Sequence, residues 1–219
     1  MLLEILMKIT KDGDPDGTNL VAGDSMVELD KSDELNAGFS AGKFMEIDDF
    51  SFGFSLIDHE MGATSTNIPG ADVLYDGKFK NFIQGDELED EAGKKLTLDK
   101  IYPVTFDEIS IERKMDRASP FLFKNCFDSK TLRRISIVKR KTAGASTGSE
   151  TFSYFRVDFD DVLITDISFS LSEGLPKEDL KFVYRSLTVR YRPQKNDGSP
   201  GSIVNVGPLS LMPAKPAGK

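Results

Sequence analysis

Alternation of apolar and polar residues with a period of two is the feature that most constrains this 219-residue chain. Between Phe44 and Ser55, the rings of Phe50, Phe52 and Phe54 fall on one side of an extended backbone and small residues on the other. Because strand side chains alternate between two faces, this pattern predicts strands with one buried face. The start at 1–8 also reads as a strand, and similar segments lie at 102–112, 135–138, 154–159, 162–169 and 181–191. Turn signals separate them, so the sequence predicts a β-sandwich or barrel, with a bulge at 107–108 in the second segment.

One segment departs from the alternation. Ser119 offers a helix N-cap and Pro120 a favourable first helical residue, so a helix of about three turns is predicted to end near Asp128. Its predicted core consists of Phe121, Leu122, Phe123, Cys126 and Phe127. Because so much aromatic surface is unfavourable in water, we expect this helix to pack against the sheets. Truncating Phe121 or Phe123 to alanine is then expected to cost about 3–5 kcal/mol.

The chain organises as a single domain over residues 1–207, followed by a proline-containing tail at 208–219 that is predicted to be flexible. Two loop-like insertions interrupt the domain near 11–42 and 59–98. The first is rich in Gly, Asp, Asn and Ser, and the second contains the acidic run 86–91. Both are expected to be mobile or to project from the body.

Charge is unevenly distributed along the chain. The whole sequence carries a net charge of -8, which disfavours a nucleic-acid partner. Residues 1–100 hold 22 acidic and 9 basic side chains, whereas residues 101–219 hold 14 and 19. Two interpretations remain open: acidic loops in the first half, or copies of the chain that meet through faces of opposite sign.

Residues able to carry chemistry are few. His59 is the single histidine, and Cys126 lies on the predicted apolar helix face, where a thiol is usually inert. The segment 12–17 imitates the opening of a calcium loop, but Gly23 occupies the position of the bidentate glutamate. Glycine-rich phosphate-binding motifs are missing. We therefore predict no catalytic, cofactor-binding or metal-binding residues, and an enzyme built around His59 is the least favoured class.

The first eight residues lack the basic region and cleavage site of a signal peptide, and no apolar run approaches the roughly 20 residues that span a bilayer. We expect a chain made in the bacterial cytoplasm without membrane insertion, whose export would not use a signal peptide.

Several motifs occur in a recognisable order. Residues 114–122, K-M-D-R-A-S-P-F-L, are similar to the segment that opens the helix of the Hcp family, the tube proteins of type VI secretion systems. Residues 50–55, F-S-F-G-F-S, resemble an earlier strand of that family with Phe52 in place of tryptophan. Segments 161–168, 175–178 and 191–194 resemble its closing strands in the same order.

This resemblance implies a mainly β fold: a flattened, tail-tube-like β-barrel of two sheets with one short flanking α-helix. It also implies a structural subunit, without cofactors, that assembles with itself into stacked hexameric rings. These rings are propelled to the extracellular space or a target cell and hold small effectors, with sheath, spike and baseplate proteins as partners. The alternatives are the tube protein of another phage-tail-like contractile injection system, or a β-sandwich that binds proteins.

The expected subunit-interface residues lie in two regions. The first is the second insertion, where the family has a protruding loop. The second is the basic strand around Ile135, most simply an exposed strand and turn, whose functional interpretation is a docking surface for acidic loops of a neighbouring copy. They are Ser65, Asn67, Asp72, Tyr75, Lys78, Lys80, Asp86, Glu87, Glu89, Arg133, Arg134, Lys139 and Arg140.

Overall fold

The structure is a computed structural model that describes residues 3–13, 18–56, 88–89, 95–96, 104–142, 151–171 and 174–210. The chain divides into two compact units. The main unit comprises Met1–Ser51 and Glu108–Leu211, and the second unit comprises Phe52–Asp107 and Met212–Lys219.

The described residues form short and long strands around one α-helix. The strands are β1 Leu3–Lys11, β2 Met45–Glu46, β3 Asp49–Ser51, β4 Phe54–Leu56, β5 Leu88–Glu89, β6 Lys95–Leu96, β7 Val104–Phe106, β8 Ile109–Lys114, β9 Thr131–Thr142, β10 Thr151–Ser170, β11 Lys177–Val183, β12 Ser186–Tyr191 and β13 Val204–Ser210. Helix α1 spans Ser119–Phe127, and a single 3-10 turn spans Glu34–Asn36.

The main unit is built on a nine-stranded antiparallel sheet with the order β2-β1-β9-β10-β11-β8-β3. It branches at β10, whose residues 155–160 pair with β12 and whose residues 163–170 pair with β11. Strand β13 continues the branch beyond β12. The mainly β class with one flanking helix is therefore confirmed, and the order is consistent with a barrel-like fold although the sheet is not closed. In the second unit, β4 pairs with β7 and β5 with β6.

The main core lies on one face of the branched sheet, and a second, smaller cluster covers the other face of β1 and β9. Strand β11 shows the pattern most clearly, because every second side chain from Glu178 to Phe182 is fully buried. Other fully buried apolar side chains come from neighbouring strands: Met7, Ile9, Ile109, Ile135, Ile137, Val157 and Phe159. Burial of such side chains is the main favourable contribution to folding.

Several of the predicted segments need correction. Residues 154–159 and 162–169 lie in the single strand β10, whereas 181–191 is divided between β11 and β12. The segment 44–55 is not one strand but contributes β2, β3 and β4, and the Phe54 side chain is 59% exposed. The phase shift at 107–108 marks the junction between the two units rather than a bulge in one strand. Residues 208–210 belong to β13 and not to a tail, while 211–219 lie outside the described residues.

The first insertion packs against the main sheet rather than projecting from it. Its residues Val21, Leu35 and Phe39 are buried, and Phe39 joins a core cluster with Leu6 and Val138. We call residues 18–44 the covering segment. Its backbone hydrogen bonds are made in turns and to β1. The segment is therefore not a regular strand, which agrees with the lack of alternation in its sequence.

Helix α1 has the predicted end but a different buried face. Leu122 is fully buried and Ser119 and Asn125 are buried beside it, whereas Phe123 is 52% and Phe127 is 82% exposed. The predicted helix core is therefore wrong for these two phenylalanines, and Phe121 and Cys126 are only partly buried. The cap also differs, since the N-cap position is Ala118 and Ser119 is already helical.

Candidate subunit interface

Most of the predicted interface residues of the second insertion cannot be placed. Ser65, Asn67, Asp72, Tyr75, Lys78, Lys80, Asp86 and Glu87 lie outside the described residues, as does His59. Glu89 lies in β5, directly opposite Lys95 of β6 in the backbone register. The role of these residues in subunit contacts stays a prediction.

Two of the four basic residues predicted on β9 are engaged within the chain. Arg134 Nε donates a hydrogen bond to Asp160 Oδ1 at 2.6 Å, and Arg140 Nη1 donates to Glu4 Oε2 at 2.8 Å. Arg140 is buried, with 7% of its surface exposed. Both side chains are thus already paired within the chain, and their role in subunit contacts stays a prediction.

The other two basic residues differ from each other. The Lys139 ammonium lies 5.3 Å from the centre of the Phe50 ring, which is within cation–π range. Arg133 is exposed on β9. Within the described part of β9, Arg133 is thus the basic side chain that best fits the predicted external surface.

The opposed charges of the two halves of the sequence meet inside the main unit. In the described residues, four ion pairs join acidic residues of positions 1–100 to basic residues of positions 101–219. Part of the opposite charge of the two halves is therefore paired within one chain, with no neighbouring copy needed. They are Glu4–Arg140, Asp24–Arg117, Asp33–Arg192 and Asp48–Lys177.

The covering segment is held by charged side chains of the sheet. Arg156 Nη1 donates to the carbonyl oxygens of Leu35 at 3.0 Å and Ala37 at 2.9 Å. The Arg192 guanidinium binds both carboxylate oxygens of Asp33 at 2.8 Å. Such bidentate, charge-assisted bonds have a fixed geometry and satisfy polar groups that would be costly to bury alone.

Asp158 is the central carboxylate of this face. It is 2% exposed and accepts hydrogen bonds from Arg156, at 2.8–3.0 Å, and from Arg190 Nη1 at 2.5 Å. Burial by itself raises the pKa of this carboxyl, but the hydrogen bond and charge of Arg156, with the charge of Arg190, outweigh it. The pKa of Asp158 therefore lies below its ordinary value.

Lys8 is buried on the same face, under the covering segment. Its ammonium lies 3.5 Å from the Ala37 carbonyl oxygen and 5.2 Å from the centre of the Phe39 ring. Gly38, at φ +80°, passes so close that an added Cβ would lie 2.5 Å from Lys8 Nζ. Burial, and then the charge of Arg156, lower the pKa of Lys8 from 10.5 to about 8.

A Lys8→Met variant is expected to be more stable than the wild type at neutral pH, by up to about 3 kcal/mol. Because the folded pKa of Lys8 is depressed, the unfolded chain holds the extra proton between pH 8 and 10.5. The penalty is complete below pH 8, and the wild type regains stability as the pH rises through that window. Urea unfolding of both proteins at pH 7 and pH 10.5 measures the difference.

Lys43→Met is the matched control, since Lys43 is an exposed lysine of the same covering segment. A stability difference between wild type and Lys8→Met that does not change between these two pH values would contradict the assignment.

A second surface of the main unit carries a groove of about 460 Å³. Strand register places Glu112 of β8 directly between Asp49 of β3 and Asp179 of β11. Lys177 partly compensates this acidic row, since its ammonium lies 2.5 Å from a Glu112 carboxylate oxygen. Among the residues with described positions, no group of three or more His, Cys, Asp or Glu side chains is arranged to hold a metal ion.

Cys126 does not have the properties of a nucleophile. Burial, and then the charge of Asp166, raise the pKa of its thiol above the ordinary value. At neutral pH the sulfur is therefore a thiol rather than a reactive thiolate.

Exposed apolar side chains concentrate in two places that the sequence analysis did not assign to the interface. The aromatic patch consists of Phe123 and Phe127 of α1 with Phe169 of β10, which is 39% exposed. The edge strip consists of Tyr191 of β12 with Val204, Val206 and Leu209 of β13. A signal for the first was present, because α1 has more large apolar residues than one buried stripe accommodates.

Known proteins similar to the chain agree with its fold. The family model described as type VI secretion system effector, Hcp, matches residues 87–191. The resemblance to the Hcp family is confirmed. Among curated proteins, none matches the chain.

Three solved structures share the Hcp-like fold over nearly the whole chain. A type six secretion system protein has 17% sequence identity and a TM-score of 0.56, and the alignment covers 93% of this chain and 92% of the other chain. For Hcp1 from Salmonella typhimurium, the identity is 17% and the TM-score 0.54, and the alignment covers 94% of this chain and 93% of the other. For an Hcp1 mutant from E. coli EAEC 042, the identity is 11% and the TM-score 0.54, and the alignment covers 95% of this chain and 100% of the other.

No helix within the described ranges combines the length and apolar character needed to cross a membrane.

Proposed function

We propose that this chain is a structural subunit of a type VI secretion inner tube. Copies assemble into hexameric rings that stack into a tube, which is propelled out of the bacterial cell and carries small effectors in its lumen. The observation that carries the proposal is the Hcp match of residues 87–191. The shared fold over more than nine-tenths of the chain supports it.

The main unit has surfaces that an assembling protein needs. Strand β13 pairs with β12, and its outer edge has no partner strand in the described part of the sheet. All seven of its residues are exposed. An open edge strand with apolar side chains is a site at which proteins associate unless it is covered. Assembly with other copies provides that cover.

The proposed partners follow from the role of a tube. Sheath and baseplate proteins enclose it, a spike protein caps it, and small effectors occupy the lumen. The chain acts by shape, and its export proceeds through the secretion machine. The ionised Asp158 and the buried ion pairs have a structural role in the subunit rather than performing a reaction.

Negative-stain microscopy and an export assay test the proposal together. We expect purified protein to form annuli with a central hole, and the protein to leave the cell only when the sheath protein is present. Single particles without a hole would contradict ring formation. Rings whose release does not require the type VI sheath would instead indicate another contractile injection system.

A further inference from the structure

The aromatic patch is a compact, protruding apolar surface. Phe123 and Phe127 lie one turn apart on the same side of α1, and the Phe123 and Phe169 ring centres are 6.0 Å apart. Phe127, at 82% exposure, makes the largest contribution. Aromatic side chains in this position are typical of the centres of protein interfaces.

The edge strip is a flat apolar surface on the branch of the sheet. Register places Val204 opposite Tyr191 and Leu209 opposite Leu187. Leu187 is buried at 2% exposure, whereas Tyr191 and Val204 are 47% and 57% exposed. Within the described part of the chain, the core face of the sheet therefore continues onto β13 with its apolar side chains exposed.

Strand β10 keeps the two surfaces apart. Tyr191 lies opposite Phe155 near the start of β10, while the aromatic patch contacts Phe169 near its end. The 14 residues between these positions correspond to roughly 45 Å of chain measured along the strand, which has a register shift between Ile164 and Asp166. Both surfaces lie in the main unit, and their residues are exposed within the single chain.

We propose that consecutive copies in the ring are joined head to tail, with the aromatic patch of one copy seated on the edge strip of the next. The inference rests on the proposed ring. A ring of more than two copies requires two different, complementary surfaces on each subunit. Each of these surfaces exposes on the order of 300 Å² of apolar area, which suits the dry centre of an interface of about 800 Å² per partner.

Cysteine trapping tests this contact directly. In a Cys126→Ser background, Phe127→Cys and Val206→Cys are combined and oxidised with copper phenanthroline in air. A head-to-tail contact predicts a ladder of disulfide-linked species on a non-reducing gel, because every copy bears both halves of each bridge. Each single-cysteine variant is expected to remain one chain long.

The outcomes separate this inference from the proposed function. Dimers from the Phe127→Cys variant alone would show a symmetric contact and overturn the head-to-tail assignment. No ladder from a double variant that still forms rings would overturn the contact and leave the ring intact. A wild type without rings would refute the proposed function itself.

A mixing experiment provides an independent measurement. Phe127→Asp and Val206→Asp are each expected to weaken self-association at least tenfold in sedimentation velocity. An equimolar mixture of the two variants is expected to give dimers and no rings, since one intact contact remains between unlike copies. Met26→Asp is the matched control, because Met26 is 70% exposed outside both surfaces. Rings that persist in either patch variant would contradict the proposal.

Discussion

Replacing Arg113 with methionine is expected to lower the free energy of unfolding by about 3–5 kcal/mol. Arg113 and Glu178 are both fully buried, and Arg113 Nε donates to Glu178 Oε1 at 2.6 Å. Arg113 Nη2 also donates to Asp116 Oδ1 at 2.5 Å and to Ser119 Oγ at 3.2 Å. Without the guanidinium, the Glu178 carboxylate remains in the core with no opposite charge. Urea denaturation of the folded chain measures the loss.

Two further variants make the result specific. Removing both charges, in Arg113→Met with Glu178→Met, is expected to recover most of the loss, because a buried pair contributes little beyond its own desolvation cost. Lys114→Met, at the exposed neighbouring position, is expected to change stability by less than about 0.5 kcal/mol. If the free energy of unfolding of Arg113→Met were within about 1 kcal/mol of the wild-type value, the assignment of a buried Arg113–Glu178 ion pair would be contradicted.

Leu122→Ala is expected to cost about 2–5 kcal/mol, the range for a fully buried leucine. Phe127→Ala is its matched comparison on the same helix, and we expect a loss below about 1 kcal/mol because this ring is 82% exposed. The two unfolding free energies, measured side by side, report which face of α1 is buried. If Phe127→Ala lowered the free energy of unfolding more than Leu122→Ala, the assigned buried face of α1 would be wrong.

The buried pair also explains the motif that carries the family resemblance. The Asp116 carboxylate accepts hydrogen bonds from Arg113 and from the Ala118 backbone N–H at 2.7 Å. Ser119 Oγ accepts one from the Asp116 N–H at 3.1 Å. These contacts tie the end of β8 to the first turn of α1, so the motif has a structural role in this chain.

Local periodicity predicted the strands where one face meets an apolar core. It located β9 through the alternation at 135–138. For β11 it marked only residues 181–183, within a predicted segment that continued into β12. It could not identify Glu178 as a buried residue, because its partner Arg113 lies 65 positions earlier in the chain. The alternation shows which residues share a face, and only the tertiary structure shows what covers that face.

The charged face of the sheet illustrates the same limit. Lys8, Arg156 and Asp158 alternate with apolar residues, a pattern typical of an exposed polar face, yet all three are buried under the covering segment. The bond from Arg156 to Ala37 joins positions 119 residues apart. The covering segment was predicted to project because its composition resembles a loop, and composition does not reveal its contacts.

The sequence did not show which of the predicted interface residues have partners within the chain. Arg134 and Arg140 formed a basic run in sequence, but Asp160 and Glu4 bind them within the chain. The exposed Phe127 was assigned to the helix core because a sequence pattern does not distinguish apolar residues that face a core from those that lie on the surface.

The mass of the purified chain in solution, measured by sedimentation velocity across a range of protein and salt concentrations, tests the central claim most directly. Assembly into rings predicts a discrete species near six times the 24.2 kDa of one chain. A protein that sediments as a single 24.2 kDa chain at every concentration and salt condition would contradict it.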